Sequence, residues 1–188
     1  MRPPDDSGTR YAKVCASFLL SSFMKNSLEP YLNHHLTGSA GALVLLDEII
    51  SRQELPEEIR YFQMLRDEVK GEQNFLRGLV ESAHLKVSNI LEYADAVTVR
   101  GSRTGLVMQG ISNDDLGLLD ALELLTLGFQ GKRLLWKALE AAAPSIAAWR
   151  NVDFKALERA AARQRDGVEM RRMAFVRQAL WQALAEAS

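Results

Sequence analysis

The sequence predicts an all-α protein, an antiparallel four-helix bundle in which two helical hairpins are joined by a long crossover that contains a short helix. Three observations support this prediction. Apolar residues recur at three- and four-residue spacing through four long segments. No segment shows the apolar–polar alternation of a half-buried strand. The connections between the four segments are short, long and short in turn, which suits two hairpins and a crossover.

Four long helices are predicted from their boundary residues and their apolar spacing. Ser27 can cap the first helix, and Pro56 suits the first turn of the second. An Asn-Asp-Asp run at 113–115 caps the third, which stops before Pro144. The predicted ranges are about 27–53, 56–84, 113–143 and 151–188, with a short helix over 87–99 and a loop over 101–114.

The connection lengths constrain the topology of these helices. About three residues join the first two helices, which must therefore be antiparallel neighbours. About thirty residues separate the second helix from the third, enough to cross the length of a bundle. A short link joins the third helix to the fourth. Hairpin, crossover and hairpin together make the ferritin-like arrangement.

The bundle is predicted to occupy residues 27–188, after an N-terminal extension over 1–26. An apolar segment, 14–24, is similar to a signal-peptide core, but two aspartates precede it and no small-residue cleavage site follows it. About eleven residues are also too few to cross a bilayer. A short docking helix is the favoured interpretation, and membrane association through this segment is the alternative.

Composition bounds the class of protein. The 188 residues are 47% hydrophobic and 25% charged, with a formal net charge of -1. Such a chain can bury a core, and it has no overall basic field that would hold nucleic acid or an anionic membrane. The one cysteine, Cys15, cannot form an internal disulfide and suits a reducing compartment. A cytoplasmic protein is therefore expected.

The two hairpins resemble each other. When HHLTGSAGALVLL (34–46) is aligned with LLTLGFQGKRLLW (124–136), two pairs of glycines coincide, Gly38 with Gly128 and Gly41 with Gly131. All four glycines fall inside predicted helices, where each costs about 1 kcal/mol relative to alanine. Either the first and third helices approach closely there, or the glycines leave room for a bulky side chain or a ligand.

Two motifs carry a resemblance to a known group of proteins. They are YLNHHLTGS at Tyr31–Ser39 and ALELLTLGFQGK at Ala121–Lys132. From about Ser27 onward the chain resembles a poorly characterised bacterial family of ferritin-like bundles. The resemblance implies a fold and no activity, and the oxidases and iron stores of the wider superfamily are linked to it by analogy of fold alone.

A metal site is the first chemistry to consider in such a bundle. A di-iron centre needs a Glu from each of two helices and a Glu-x-x-His motif from each of the other two. The chain has one such motif, Glu81–His84, at the end of the second helix, so a standard di-iron centre is not predicted. A smaller mid-bundle site for iron, manganese or zinc is the alternative. Its candidate ligands are His35, Glu72, Glu123 and Glu169.

The same residues have a structural interpretation. Glu72 and Lys132 each interrupt an apolar stripe, and a buried charge needs a partner. Glu72 is expected to pair with Lys132, Arg165 or Arg172, and Lys132 with Glu72 or Gln164. A Schiff-base or general-base lysine is the less favoured interpretation, because no nucleophile–base spacing accompanies it. His35 would then be a satisfied core histidine.

The function that these residues favour is a non-enzymatic structural or protein-interaction module without a cofactor. A homodimer is expected, with an apolar edge on the fourth helix as a possible contact. Acids outnumber bases in the second helix and bases outnumber acids in the fourth, which predicts pairing between them. The alternatives are an atypical metal-binding or redox protein and, with few aromatic residues to support it, an RNA-binding fourth helix.

Overall fold

The computed structural model describes residues 22, 27–88 and 115–186, and these ranges are helical throughout apart from short connections. The helices are α1 (Glu29–Arg52), α2 (Pro56–Ser82), α3 (Asp115–Ala142) and α4 (Phe154–Glu186), with two 3-10 turns at Ala143–Ser145 and Ala147–Trp149. No strand occurs within the described ranges. The all-α prediction is confirmed for them.

Three predicted features lie mainly outside the described residues. They are the extension over 1–26, the short helix over 87–99 and the loop over 101–114. Among the described helices, none is both long enough and apolar enough to cross a membrane.

The helix boundaries correct two predictions. Leu28, with helical backbone angles, precedes α1 and makes no side-chain capping bond, so the predicted Ser27 cap is wrong. α1 instead has a proline in its first turn, where a missing N–H group costs nothing. α2 ends two residues earlier than predicted, because His84 adopts the left-handed conformation (φ 56) that closes many helices. The N–H group of Leu85 then donates to the Val80 carbonyl at 3.1 Å.

The link between α3 and α4 is longer than predicted. α4 begins at Phe154 rather than near Asn151, and the Asp153 side chain accepts a hydrogen bond from the Ala156 N–H group at 2.9 Å. A side-chain acceptor before the first turn satisfies a backbone donor that the helix cannot. The two 3-10 turns in this link place Trp149 in the core, where it is fully buried.

The core consists of two apolar clusters along the bundle. We call the first the tryptophan cluster, because it contains Trp136 and Trp149. The second, the phenylalanine cluster, contains Phe62 and Phe129. Burying each large apolar side chain contributes roughly 1.5–3 kcal/mol, so these clusters supply most of the stabilisation. The clusters meet near the middle of α2 and α3, and this is where the polar interruptions of both helices lie.

The helical spacing of apolar residues predicts the buried faces of α2, from Phe62 to Ala83, and of α3, from Leu118 to Leu139, whereas the face of α1 departs from its prediction in part. The predicted α1 stripe is only partly right. Its members are Leu28, Tyr31, His35, Ala42, Leu46 and Ile49. Leu46 and Ile49 are buried, but Tyr31 is exposed and the other three are partly buried. The leucines and isoleucine of α1 bury more apolar area than these polar rings would, and they take the inner face instead. They are Leu32, Leu36, Leu45, Leu46 and Ile49.

Three helix pairs pack directly, α3 with α4, α1 with α2 and α1 with α3. α2 and α4 meet through polar side chains instead. The Arg171 guanidinium pairs with Glu58 at 2.6 Å and lies 3.2 Å from the centre of the Tyr61 ring. Gln164 donates to Glu68 at 2.8 Å. The expected pairing between an acidic second helix and a basic fourth helix is therefore confirmed at this seam.

Candidate ligand cavity

A partly open cavity of about 230 Å³ lies between α1, α2 and α3, at the junction of the two apolar clusters. Its apolar wall combines residues of both clusters: Val69, Leu76, Leu125, Phe129, Leu135 and Trp136. Its polar and small lining residues are His34, His35, Gly38, Ser39, Ala42, Glu72, Gln73, Gly128, Gly131 and Lys132. The cavity thus collects His35, three of the four aligned glycines and the two charges that interrupt the apolar stripes.

Three of the four glycines that the repeat aligns line this cavity. They are Gly38, Gly128 and Gly131, and at each of them a Cβ atom would find no heavy atom within 4 Å apart from its chain neighbours and the backbone of its own helix. Close helix packing would have placed neighbouring atoms there. Of the two explanations for the glycines, the structure therefore favours the second, in which they leave room beside the helices.

A polar layer closes one side of the cavity. The Lys132 ammonium, which lies 4.5 Å from the centre of the Phe129 ring, donates to Glu72 and, at 2.5 Å, to the Gln164 side-chain oxygen. The Gln164 amide group donates in turn to Glu72 at 3.1 Å. These are the partners expected for Glu72 and Lys132, and that structural prediction is confirmed. Burial lowers the pKa of Lys132, while the Glu72 carboxylate opposes this shift.

A second hydrogen-bonded pair ties α1 to α2 at the cavity. Gln73 is buried, and its amide group donates to the Ser39 hydroxyl at 2.8 Å. The Ser39 hydroxyl donates to the Leu36 carbonyl at 2.6 Å, and the Gln73 side-chain oxygen accepts from Lys70 at 3.0 Å. Both residues are satisfied within the protein, so they hold the wall in place.

The two adjacent histidines lie at the rim contributed by α1. His34 is exposed, and His35 is packed edge-on against Tyr31, with ring centres 4.7 Å apart. Burial, and to a lesser degree the neighbouring His34, lower the pKa of His35 to about 4. His35 is therefore neutral at pH 7 and adds no charge to the cavity.

Two tryptophans of the same cluster differ in how their indole N–H groups are satisfied. Trp149 donates to the Leu79 carbonyl at 3.1 Å and to the Ser82 hydroxyl at 3.3 Å. Trp136 is 1% exposed, and its Nε1 atom has no hydrogen-bond partner among the described residues. Buried N–H groups without a partner are rare in folded proteins.

The four candidate metal ligands fall into two separate places. His35 and Glu72 line the cavity. Glu123 and Glu169 instead pair with one guanidinium, that of Arg172, at 3.0 Å and 2.7 Å. Hydrogen bonding to Arg172 lowers the pKa of Glu169.

The fit of these residues to a metal centre is poor. Within the part of the chain that the structure describes, no three His, Cys, Asp or Glu residues stand close enough to hold a metal ion. Glu72 already has an ammonium partner, and the other two carboxylates share a guanidinium. We therefore derive no metal chemistry from this arrangement.

Sequence reasoning missed the cavity itself and the indole of Trp136, which has no hydrogen-bond partner in the described part of the chain. One signal was available, since Trp136 lies one helical turn after Lys132 and seven residues after Phe129 on the same stripe. Spacing of this kind predicts which face a tryptophan shares, but it cannot predict whether an acceptor is present there.

No protein-family model, curated protein or solved structure matches this chain.

Proposed function

We propose that this helical bundle binds a small, mostly apolar molecule in the cavity between α1, α2 and α3. The observation that carries the proposal is the open space beside Gly38, Gly128 and Gly131. Alanine at each position would meet no neighbouring atom and would favour the helix by about 1 kcal/mol. Helix stability therefore does not account for glycine at these three positions. Gly71 and Gly78 are equally open, and what sets these three apart is that they line the cavity.

The walls of the cavity support a mostly apolar ligand. Six of its lining residues are large apolar or aromatic side chains, and the polar groups Glu72, Gln73 and Lys132 are bonded within the protein. Binding pockets for small molecules have this composition. A benzene molecule occupies an engineered cavity of about 150 Å³, so the present volume suits a ligand of about nine non-hydrogen atoms. The proposal concerns binding, and no reaction is attached to it.

Toluene is a suitable first probe, since it is apolar and smaller than the cavity. We expect toluene to bind the wild-type protein, as measured by ligand-observed NMR and by a rise in melting temperature. Gly131→Leu should fill the cavity and weaken binding at least about tenfold, a change of about 1.4 kcal/mol. Gly78→Leu is the matched control, because Gly78 also has open space around it but does not line the cavity.

Two results of this experiment would count against the proposal. One is a wild-type protein that binds no toluene at concentrations near its solubility. The other is equal binding by wild type and Gly131→Leu, which would place toluene elsewhere on the molecule. Equal weakening by Gly131→Leu and Gly78→Leu would likewise attribute the effect to the helices rather than to the cavity.

The interaction module expected from the sequence is the second candidate function, in the form of a homodimer. Three exposed apolar side chains on the α3–α4 hairpin favour it, namely Leu127, Leu134 and Met170. Leu127 and Leu134 are seven residues apart and so share one face of α3. Light scattering tests this candidate, and a monomeric mass across a wide concentration range would remove it.

For the fold we propose the ferritin-like arrangement, with antiparallel pairing in each hairpin. The order of side-chain contacts supports it. Asp47 near the end of α1 pairs with Arg66 in α2 at 2.5 Å, while Ser39, earlier in α1, bonds Gln73, later in α2. In the second hairpin, Arg133 of α3 pairs with Glu158 early in α4, whereas Glu123, earlier in α3, pairs with Arg172.

A further inference from the structure

We infer that the ligand of this cavity carries an uncharged hydroxyl group, as a phenol or an aromatic alcohol does, and that this group hydrogen-bonds the imidazole ring of His35. The inference rests on the proposed function and names the chemical class of the ligand. Three observations carry it: the hydrogen bonds that the polar wall already makes, the placement of the His35 ring, and the charge pair beside the cavity.

Most polar side chains of the cavity wall are already bonded within the protein. Lys132 donates to Glu72, and Gln73 donates to Ser39. The Trp136 indole nitrogen has no partner among the described residues, but it is sealed from solvent and so does not face the cavity. The two histidines also make no hydrogen bond within the described ranges, although both line the cavity. The unused hydrogen-bonding capacity of this wall therefore lies with them.

Of the two histidines, His35 is the better placed to hold a ligand. His34 is exposed, whereas the His35 ring is partly buried and packed edge-on against Tyr31, with ring centres 4.7 Å apart. Within the described part of the chain, the Trp136 nitrogen is the single polar side-chain atom that is both sealed and unpaired, so the His35 nitrogens keep accessible surface. A molecule bound in the cavity can therefore reach this ring, which lies at the cavity rim.

The neutral state of the ring selects a hydroxyl group. Burial lowers the pKa of His35 to about 4, so at pH 7 the ring has one N–H donor and one acceptor nitrogen. No described protein group fixes which nitrogen carries the proton. A hydroxyl group both donates and accepts, and so it can use either nitrogen. A ligand without a polar group would displace water from the ring and return no hydrogen bond.

The charge pair beside the cavity disfavours an ionised ligand. Lys132 and Glu72 are bonded to each other, and their side chains are only 16% and 15% exposed. A carboxylate or an ammonium on the ligand would lose its hydration in this region without finding a free counter-charge. A phenolic hydroxyl has a pKa of about 10 and is uncharged at pH 7, so it avoids that cost.

Two pairs of compounds separate the hydrogen bond from apolar contact. Phenol and toluene have nearly the same size and shape, and phenol alone has a hydroxyl group. Anisole and ethylbenzene match in the same way, but the anisole oxygen can accept a hydrogen bond and cannot donate one. All four compounds are smaller than the roughly nine non-hydrogen atoms that suit the cavity.

The experiment measures the affinities of the full chain and of His35→Phe for the four compounds at pH 7 by NMR titration. We expect the ratio of phenol affinity to toluene affinity to fall about five- to tenfold in His35→Phe, because the variant keeps a ring and loses both nitrogens. Comparing ratios removes the different hydration of the free compounds. The ratio of anisole affinity to ethylbenzene affinity should fall by less than about twofold, since an ether cannot use the acceptor nitrogen.

His34→Phe is the matched control variant. His34 is the adjacent residue and also lines the cavity, but it is exposed. Its replacement should change the phenol-to-toluene ratio by less than about twofold. A fall as large as that in His35→Phe would overturn the assignment of the hydrogen bond to His35.

A spectroscopic measurement on the wild type keeps the test independent of how well the variants fold. The signal of the unprotonated ring nitrogen of His35 should move upfield in a long-range ¹H–¹⁵N spectrum when phenol binds, and it should stay in place with toluene. The ring of His84, which is exposed at the end of α2, serves as an internal control.

The possible failures are distinct. If toluene and phenol both bind but their ratio is the same in wild type and His35→Phe, or the His35 signal does not distinguish them, the inference is wrong and the proposed function stands. An anisole ratio that falls as far as the phenol ratio would overturn the assignment of a hydroxyl group. If none of the four compounds binds, the inference fails together with the proposed function.

Discussion

Trp149 and Trp136 are buried to the same depth in the same apolar cluster, at 0% and 1% exposure, yet their surroundings differ. The Trp149 indole has two acceptors, whereas that of Trp136 has none among the described residues. Trp149 lies where the α3–α4 link folds onto α2, and it fastens that link to the bundle. Trp136 faces the region in which glycines replace side chains. Burial alone therefore does not define a structural role, because a buried polar group must also have a hydrogen-bond partner.

The same contrast extends to the neighbours of the two tryptophans. The Phe154 ring lies between the two indoles, with ring centres 6.4 Å from each, edge-on to Trp149 and tilted against Trp136. Trp149 does not line the cavity, whereas Trp136 does. Together with Gly131 and Lys132, Trp136 forms part of the cavity wall. A bundle that needed only stability would gain from larger side chains in this layer. The cavity layer is therefore the candidate functional region of the molecule.

The ion pair of Lys132 and Glu72 should hold the cavity layer together, and breaking it should destabilise the protein more than any other change considered below. Lys132→Met should destabilise the protein by about 3 kcal/mol at pH 7, because it leaves the Glu72 carboxylate largely buried without its ammonium partner. Urea denaturation measures this loss. Adding Glu72→Leu should recover most of it, since no buried charge then remains.

Arg66→Met is the matched control for this ion pair. Arg66 pairs with Asp47 at the surface, with side chains 39% and 55% exposed, so its loss should cost much less than the loss of Lys132. Equal effects of Lys132→Met and Arg66→Met would show that the cavity layer is as wet as the surface. The surroundings of Trp149 and the cavity layer beside Trp136 would then not differ in the way proposed here.

The second prediction compares the two tryptophans directly. Trp149→Phe should destabilise the protein by about 2 kcal/mol, because it removes both buried surface and a satisfied hydrogen bond. Trp136→Phe also removes surface, but it relieves an unpaired donor, so its cost should stay below about 1 kcal/mol. Urea denaturation of both variants without ligand measures the difference. Equal losses would break the comparison, since they would mean that the Trp136 N–H group does have a partner.

The spacing of apolar and polar residues along each helix decides which parts of the fold and the candidate site could be predicted from the sequence. Helical period placed the buried faces of α2 and α3 correctly, and it brought Lys132 to Glu72 and Gln164 because polar residues on inner faces must find one another. The same reasoning failed in the first half of α1, where Leu32 and Leu36 are buried in place of Tyr31 and His35, but it placed Leu46 and Ile49 correctly. It also grouped Glu123 and Glu169 with Glu72, although their common partner is Arg172.

The cavity was beyond prediction for a different reason. The four aligned glycines indicated that something unusual lay between the first and third helices, but close approach and empty space both require a missing side chain. Only the positions of the surrounding atoms decide between them, and these positions depend on the packing of three helices at once. The unpaired indole of Trp136 is equally a property of the assembled core.

The last prediction concerns His35 at the rim of the cavity. It tests whether this ring is buried deeply enough to stay neutral below its ordinary pKa. Its pKa falls from 6.5 to about 4 on folding, mainly because burial disfavours the charged ring. Between these values the unfolded chain binds more protons than the folded one, so stability rises with pH through this window and falls as pH is lowered from about 6.5 to about 4. Partial exposure of the ring reduces the loss to about 1 kcal/mol.

The measurement for His35 is the difference in unfolding free energy between wild type and His35→Gln at several pH values from 4 to 7. That difference isolates one histidine from the carboxylates that titrate in the lower part of the same range. The control variant is His34→Gln. Its unfolding free energy should keep most of the pH dependence seen in the wild type, because His34 contributes less than burial to the pKa shift of His35. If the unfolding free energy of His35→Gln depends on pH as strongly as that of the wild type, water reaches the His35 ring freely. The rim would then belong to the surface, and the dry layer around Trp136 would have to begin deeper, at Phe129 and Lys132.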